Sequence, residues 1–278
     1  MTVAEVLQKS TDYLQTKGVP SPRVDAEHLL AKTLGLSRLE LYTQHDRVLS
    51  ESELAAARSL LERRGRREPL AYVLGEWGFR RLTLHVDRRG LIPRPETEVV
   101  VERCLVRMQD VVEPEVLDVG TGTGAIALAI ADEHPGARVT AIDVSRPALD
   151  LARENAEQTE LAGRVRLEEH DVSAGLPPGP YDLVVSNPPY VEPDDVGTLE
   201  PEVREWEPRE ALVGSGVSAK VAGAAREVLR PGGWLVLEVA DGTAAAVAGL
   251  LEELEFVHVC ATPDLAGRDR VVEGQWTP

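Results

Sequence analysis

The stretch Val116-Leu117-Asp118-Val119-Gly120-Thr121-Gly122-Thr123-Gly124-Ala125 decides the fold. Residues 116–119 read as a buried strand, three alternate glycines follow, and the apolar run over 125–133 reads as a helix. Glycines between a strand and a helix let backbone N–H groups at the helix N-terminus come close to a ligand, so the loop reads as a cradle. Asp143 closes the next strand, 139–142, about 20 residues further on, where a carboxylate holds a ribose hydroxyl pair in nucleotide-type sites. Outward from there strands and helices alternate. Helices are expected over 147–158, 219–229 and 243–254, and strands over 165–168, 181–185 and 234–239, with closing strands at 257–261 and 271–273. This is the pattern of an α/β fold with a mainly parallel, doubly wound, seven-stranded sheet.

The fourth strand runs into Val185-Ser186-Asn187-Pro188-Pro189-Tyr190. Two consecutive prolines fix φ and can neither continue a strand nor enter a helix, so the turn is rigid. The Pro188 carbonyl is left outside ladder pairing and the Asn187 side-chain oxygen can point the same way, giving two acceptors suited to one NH2 group. Tyr190 is expected as a flat wall against a planar group. A proline-rich turn with a packed tyrosine is the plain reading. Its place at the carboxyl end of a parallel strand, where open α/β sheets bind ligands, favours the functional one.

The glycine loop is ambiguous taken alone, because Gly120-Thr121-Gly122-Thr123-Gly124-Ala125 also satisfies a dinucleotide fingerprint. Asp118 and Asp171 add acidic groups that a pyrophosphate disfavours. A ligand carrying a cationic amino-acid end and an adenine amine uses them, which points to S-adenosyl-L-methionine rather than NAD. Each aspartate can also be a helix cap.

With 30 basic and 47 acidic residues the formal charge is −17, which opposes tight non-specific binding to nucleic acid. The two cysteines, Cys104 and Cys260, lie far apart without metal-ligand spacing, so neither a disulfide framework nor a metal site is expected. Residues 1–5 lack the charged and apolar regions of a signal peptide, and no apolar run approaches the roughly 18 residues of a membrane span. A soluble cytoplasmic protein is expected.

Upstream, Thr2…Glu5, Ser37…Glu40 and Ser50…Glu53 are capping-box signatures opening apolar-periodic stretches, and Ser21-Pro22 opens another. A small helical unit follows from them. Short alternating stretches, Tyr72-Val73-Leu74 and Leu82-Thr83-Leu84-His85-Val86, then read as a hairpin or extended connector. It ends in Leu91-Ile92-Pro93-Arg94-Pro95-Glu96-Thr97-Glu98, where flanking prolines present Arg94 at a fixed place near the pocket.

These motifs, with Thr198-Leu199-Glu200-Pro201-Glu202-Val203 and the segment 264–272, make the chain resemble the peptide chain release factor N5-glutamine methyltransferases, the PrmC/HemK family. The resemblance spans essentially the whole chain. It implies a Rossmann-like class I S-adenosylmethionine-dependent methyltransferase domain at 99–278, an N-terminal helical substrate-recognition domain at 1–68 and a β-hairpin or extended linker at 69–98. It also implies methylation of the glutamine in the Gly-Gly-Gln loop of class I release factors by a monomer that binds neither nucleic acid nor membrane, with S-adenosyl-L-homocysteine as product. Carried over by motif, Gly120, Thr121, Gly122, Thr123, Gly124 and Asp143 bind the methionine and ribose parts of the cofactor, with Asp171 and Val172 by the adenine. Asn187 and the Pro188 carbonyl hold the substrate amide with Tyr190 packing against it, as the catalytic residues; Pro189 and Arg94 join them in binding the substrate, and Asn187 also borders the cofactor. Residues 213–218 and 238–243 depart from the family pattern. No histidine or cysteine is expected to act as a base. Glutamine methylation of ribosomal protein L3, N6-adenine methylation of nucleic acid and a non-catalytic binding module are the alternatives.

Overall fold

Three helices in the first part of the chain begin at the capping boxes that the sequence spells out. In the computed structural model, which describes residues 1–278, the Glu5, Glu40 and Glu53 carboxylates accept the amides of Thr2, Ser37 and Ser50 at 2.9, 2.7 and 2.8 Å. The three hydroxyls in turn accept the Glu amides. Each cap is worth about 1 kcal/mol. The chain divides into two units, Met1–Glu76 with Leu199–Trp206, and Trp77–Thr198 with Glu207–Pro278.

In the first unit, α1 (Val3–Thr16), α2 (Pro22–Leu34), α3 (Arg38–Thr43), α4 (Glu51–Gly65) and α5 (Leu70–Leu74) enclose a core that includes Leu7, Leu14, Leu29, Leu30 and Leu41. Tyr72–Leu74, expected as extended, is helical. Five residues are too few for a period to show, and Ala71, Tyr72 and Val73 are all buried, a run that suits either a strand or a short helix. Residues 69–76 therefore join the helical unit rather than a linker. So does the distant segment Leu199–Trp206, held by the buried Arg64, which contacts Asp25 at 2.7 Å and Glu202 at 2.9 Å, and by Arg67, whose fork grips both Glu202 oxygens at 2.6 Å.

Next, β1 (Glu76–Phe79) and β2 (Leu82–His85) form a two-stranded sheet. Helix α6 (Thr97–Met108) leads into β3 (Glu115–Val119), α7 (Ala125–Glu133), β4 (Arg138–Asp143), α8 (Arg146–Gln158), β5 (Val165–Glu169) and β6 (Tyr181–Ser186). Then come a 3-10 turn Pro193–Thr198, α9 (Pro201–Trp206) within the first unit, α10 (Arg209–Leu212), α11 (Val217–Val228), β7 (Leu229–Glu238), α12 (Ala244–Glu253), β8 (Val257–Pro263) and β9 (Asp269–Gln275).

The seven-stranded sheet has the order β5-β4-β3-β6-β7-β9-β8, parallel except for β9. Successive strands step outward in one direction from β3 to β5 and in the other from β6, so the order reverses between β3 and β6. Open α/β sheets bind ligands at the carboxyl ends of the strands beside such a reversal. Side chains of α6 and α7 fill one face of the sheet, and those of α11 and α12 the other. All six residues of β6 are buried. No helix is long and apolar enough to cross a membrane.

Candidate active site

Beyond Val119 the chain turns through Gly120, Gly122 and Gly124 at φ of +76°, +55° and +82°. A side chain in this left-handed region costs about 1–2 kcal/mol. The Gly122 amide donates to Asp143 Oδ2 at 2.9 Å, and the Ser145 amide donates to Oδ1 at 2.8 Å. The loop and the carboxylate that ends β4 thus fix each other. A methyl group on Gly120 or Gly122 would meet no protein atom within 4 Å. Both residues line a cavity of about 320 Å³.

Thr121, Thr123 and Asp143 also line this cavity, but Gly124 does not. A Cβ there would lie 3.2 Å from Leu128 and 3.3 Å from Ala152, so Gly124 serves the close approach of α7 and α8. Asp118 is likewise outside the cavity. It is fully buried, Oδ2 accepts the Thr121 hydroxyl at 2.6 Å, and Oδ1 has no hydrogen-bond partner. Burial pushes its carboxyl up to about 7.

Asp171 and Val172 form another part of the wall. Asp171 caps a 3-10 turn by accepting the Ser173 amide at 2.8 Å, which lowers its pKa. Burial raises that of Asp143, against the pull of its two amide donors. His170 is in the wall as well, a residue that the motifs did not point to. Its Nε2 is 3.0 Å from the Gly175 carbonyl. Glu210 and Lys220, which the motifs did not point to, are there as well.

Asn187, Pro188 and Pro189 close the cavity on the β6 side. Strand pairing ends at Ser186, whose hydroxyl donates to the Val119 carbonyl at 2.7 Å and ties the two strand ends together. The Pro188 carbonyl falls beyond that ladder. Within the atypical segment 213–218, Val213 bridges to Val191. A side chain on Gly214 would fall 2.6 Å from the Pro189 ring, so this glycine makes room for the turn.

Tyr190 ends the motif. It is 39% exposed, does not line the cavity, and lies within electrostatic reach of Glu238, Arg270, Arg94 and Glu96. Arg94 does reach the cavity wall, and its Nη2 donates to both oxygens of buried Glu207 at 2.6 and 2.8 Å. Asn187 Nδ2 lies 3.3 Å from Thr97 Oγ1, in the first turn of α6. Glu207 carries no signal in the sequence that marks it as part of a site, and Thr97 lies in the motif at 91–98 without any role read from it there.

Residues 5–75 match the PrmC N-terminal domain and residues 98–200 the methyltransferase small domain. A release factor glutamine methyltransferase of Geobacter sulfurreducens is 42% identical over 99% of this chain and 96% of its own length. One from Chlorobaculum tepidum is 44% identical over 97% and 95%, respectively. The chain belongs to the release factor glutamine methyltransferase family. A 16S rRNA N2 G1207 methyltransferase of T. thermophilus, solved with AdoMet and guanosine, shares the fold at 19% identity with a TM-score of 0.51, covering 72% of this chain and 49% of that one.

S-adenosylmethionine is the cofactor of this methyltransferase, and the cavity fits it. The glycine loop leaves open the space that a Cβ would fill, and Asp143 keeps lone pairs for hydroxyl donors beyond its two amide bonds. Asp143, Asp171 and Glu210 offer carboxylates to the cationic end of such a ligand, in a wall that also carries Arg89, Arg94 and Lys220.

Proposed function

We propose that the chain methylates the side-chain amide nitrogen, N5, of the glutamine in the Gly-Gly-Gln motif of class I peptide chain release factors. The observation that carries this reading is that Asn187 and Pro188 share one cavity with Gly120, Gly122 and Asp143, so an amide clamp and a cofactor cradle face the same space. Full-length similarity to release factor glutamine methyltransferases supports the substrate class. We assign the work to a monomer in the cytoplasm, with the helical unit gripping the release factor and no nucleic acid bound.

S-adenosylmethionine supplies an electrophilic methyl group on a sulfonium. An amide nitrogen is a poor nucleophile because its lone pair is delocalised, so the chain's task is orientation. Asn187 Oδ1 and the Pro188 carbonyl accept the two N–H bonds of the glutamine amide and hold its nitrogen for in-line attack. Asp143 and the loop at Gly120–Gly122 hold the cofactor, with Asp171 and Val172 on the adenine side. After the N–C bond forms, the nitrogen gives up one proton to water and S-adenosyl-L-homocysteine is the second product. No base is required before transfer, consistent with the engagement of His170 by Gly175.

Intact-mass analysis of an unmethylated class I release factor incubated with this protein and S-adenosylmethionine tests the reading. One added methyl group is expected, and none on a Gly-Gly-Ala variant of the factor. No added methyl despite confirmed cofactor binding would reject it and direct the search to ribosomal protein L3.

A further inference from the structure

The amide clamp works in only one orientation of Asn187. An asparagine amide is nearly symmetric in shape, with an acceptor on one arm and donors on the other. Turned the wrong way, it would set its own NH2 against the substrate NH2. Something in the protein has to choose between the two orientations.

Asn187 Nδ2 lies 3.3 Å from Thr97 Oγ1. The Thr97 hydroxyl also lies close to the carboxylate of Glu238, the last residue of β7, which is 1% exposed and whose Oε2 has no partner. Both neighbours sit at fixed points of the fold. Ser186 and Leu237 are register partners, so Asn187 and Glu238 each follow directly on a paired position, and Thr97 opens the helix α6. An ionised carboxylate can only accept, so the single hydroxyl proton of Thr97 goes to Glu238. Thr97 Oγ1 then has only lone pairs to offer Asn187, and the Asn187 NH2 turns toward it.

We propose that Thr97 and Glu238 are positioning residues that set the direction of the Asn187 amide, so that Oδ1 faces the substrate nitrogen. This rests on the amide-clamp reading above. Thr97 passes on the polarity of a buried carboxylate, and Asn187 receives it. A mainly structural threonine would need only its volume. A relaying threonine needs its hydroxyl.

The test uses the full chain, S-adenosylmethionine and an unmethylated Gly-Gly-Gln release factor at about pH 8, where Glu238, pushed up to about 7 by burial, is ionised. Thr97→Val, which keeps the shape and loses the hydroxyl, is expected to lower kcat on the order of tenfold to a hundredfold. Its cofactor Kd and release-factor KM should stay within about twofold, since orientation at the reacting nitrogen affects the transition state more than binding. Thr97→Ser should keep most of the wild-type kcat. Glu238→Leu should reproduce the kcat loss, and the Thr97→Val/Glu238→Leu double variant should lose no more than the worse single one, because the two act in series. Retained kcat in Thr97→Val, equal losses in Val and Ser, or multiplying losses in the double variant would overturn the proposal. Wild type run beside them separates the two claims. If wild type does not methylate the factor, it is the amide-clamp reading that has failed.

Discussion

Arg94 and Glu207 stand 113 residues apart in sequence, yet one guanidinium nitrogen holds both oxygens of a buried carboxylate at 2.6 and 2.8 Å. Burial raises the Glu207 pKa, and Arg94 opposes that rise. The pair fixes Arg94 in the cavity wall and commits part of its donor capacity before any ligand arrives.

Arg94→Ala should therefore expose a pH-dependent weakness. Without its cation the Glu207 pKa rises further, so folding favours the protonated form and stability falls as pH climbs through the folded pKa. A loss of about 3 kcal/mol is expected near pH 8 and a smaller one near pH 5, read by chemical denaturation. Adding Glu207→Gln should recover most of the loss near pH 8.

Asn187→Ala should abolish methyl transfer while leaving cofactor binding mostly intact. We expect at least about a hundredfold loss of kcat and little change in the S-adenosylmethionine Kd by calorimetry. Equal damage to both would mean that Asn187 belongs to the cofactor site rather than to the clamp.

Gly122→Ala places a methyl group in the cofactor cavity and a Cβ on a backbone at φ +55°. Stability should fall by about 1 kcal/mol. Cofactor affinity should fall more steeply, because the added group projects into open space that the ligand needs. Comparing thermal shifts with and without S-adenosylmethionine separates the two effects.

Asp118→Asn tests the buried acid beneath the loop. Burial lifts the folded pKa of Asp118 to about 7, with nearby Asp143 adding to the rise. The fold therefore favours the protonated form, and this contribution is full in acid and lost as pH rises toward 7. Every tenfold weakening of the acid on folding corresponds to at most about 1.4 kcal/mol. Asparagine keeps an acceptor for Thr121 and carries no charge, so the variant should gain on wild type between about pH 5 and pH 8 in denaturant titrations.

Much of the framework is legible in sequence because it rests on local chemistry. The capping boxes at Thr2, Ser37 and Ser50 and the helix 125–133 occur where short-range patterns place them. β7 starts at Leu229 rather than 234, before a Pro-Gly-Gly step that reads as a turn. Helices α9 and α10 escape notice because runs of six and four residues show no period. The glycine loop and Asp143 are readable from spacing, whereas Glu207, Thr97 and Glu238 acquire meaning only when distant segments meet. Tyr190 is next but two to Asn187 in sequence, and it lies outside the cavity lining though within electrostatic reach of Arg94, which belongs to it.

The way Leu199–Trp206 joins the helical unit matters for anyone cutting the gene. A fragment of residues 77–278 would carry Glu202 without Arg64 and Arg67, while residues 1–76 alone would retain those arginines without their carboxylate. Both cuts split the first unit. A clean dissection requires replacing 199–206 by a short polar linker in one fragment and grafting that segment onto the other.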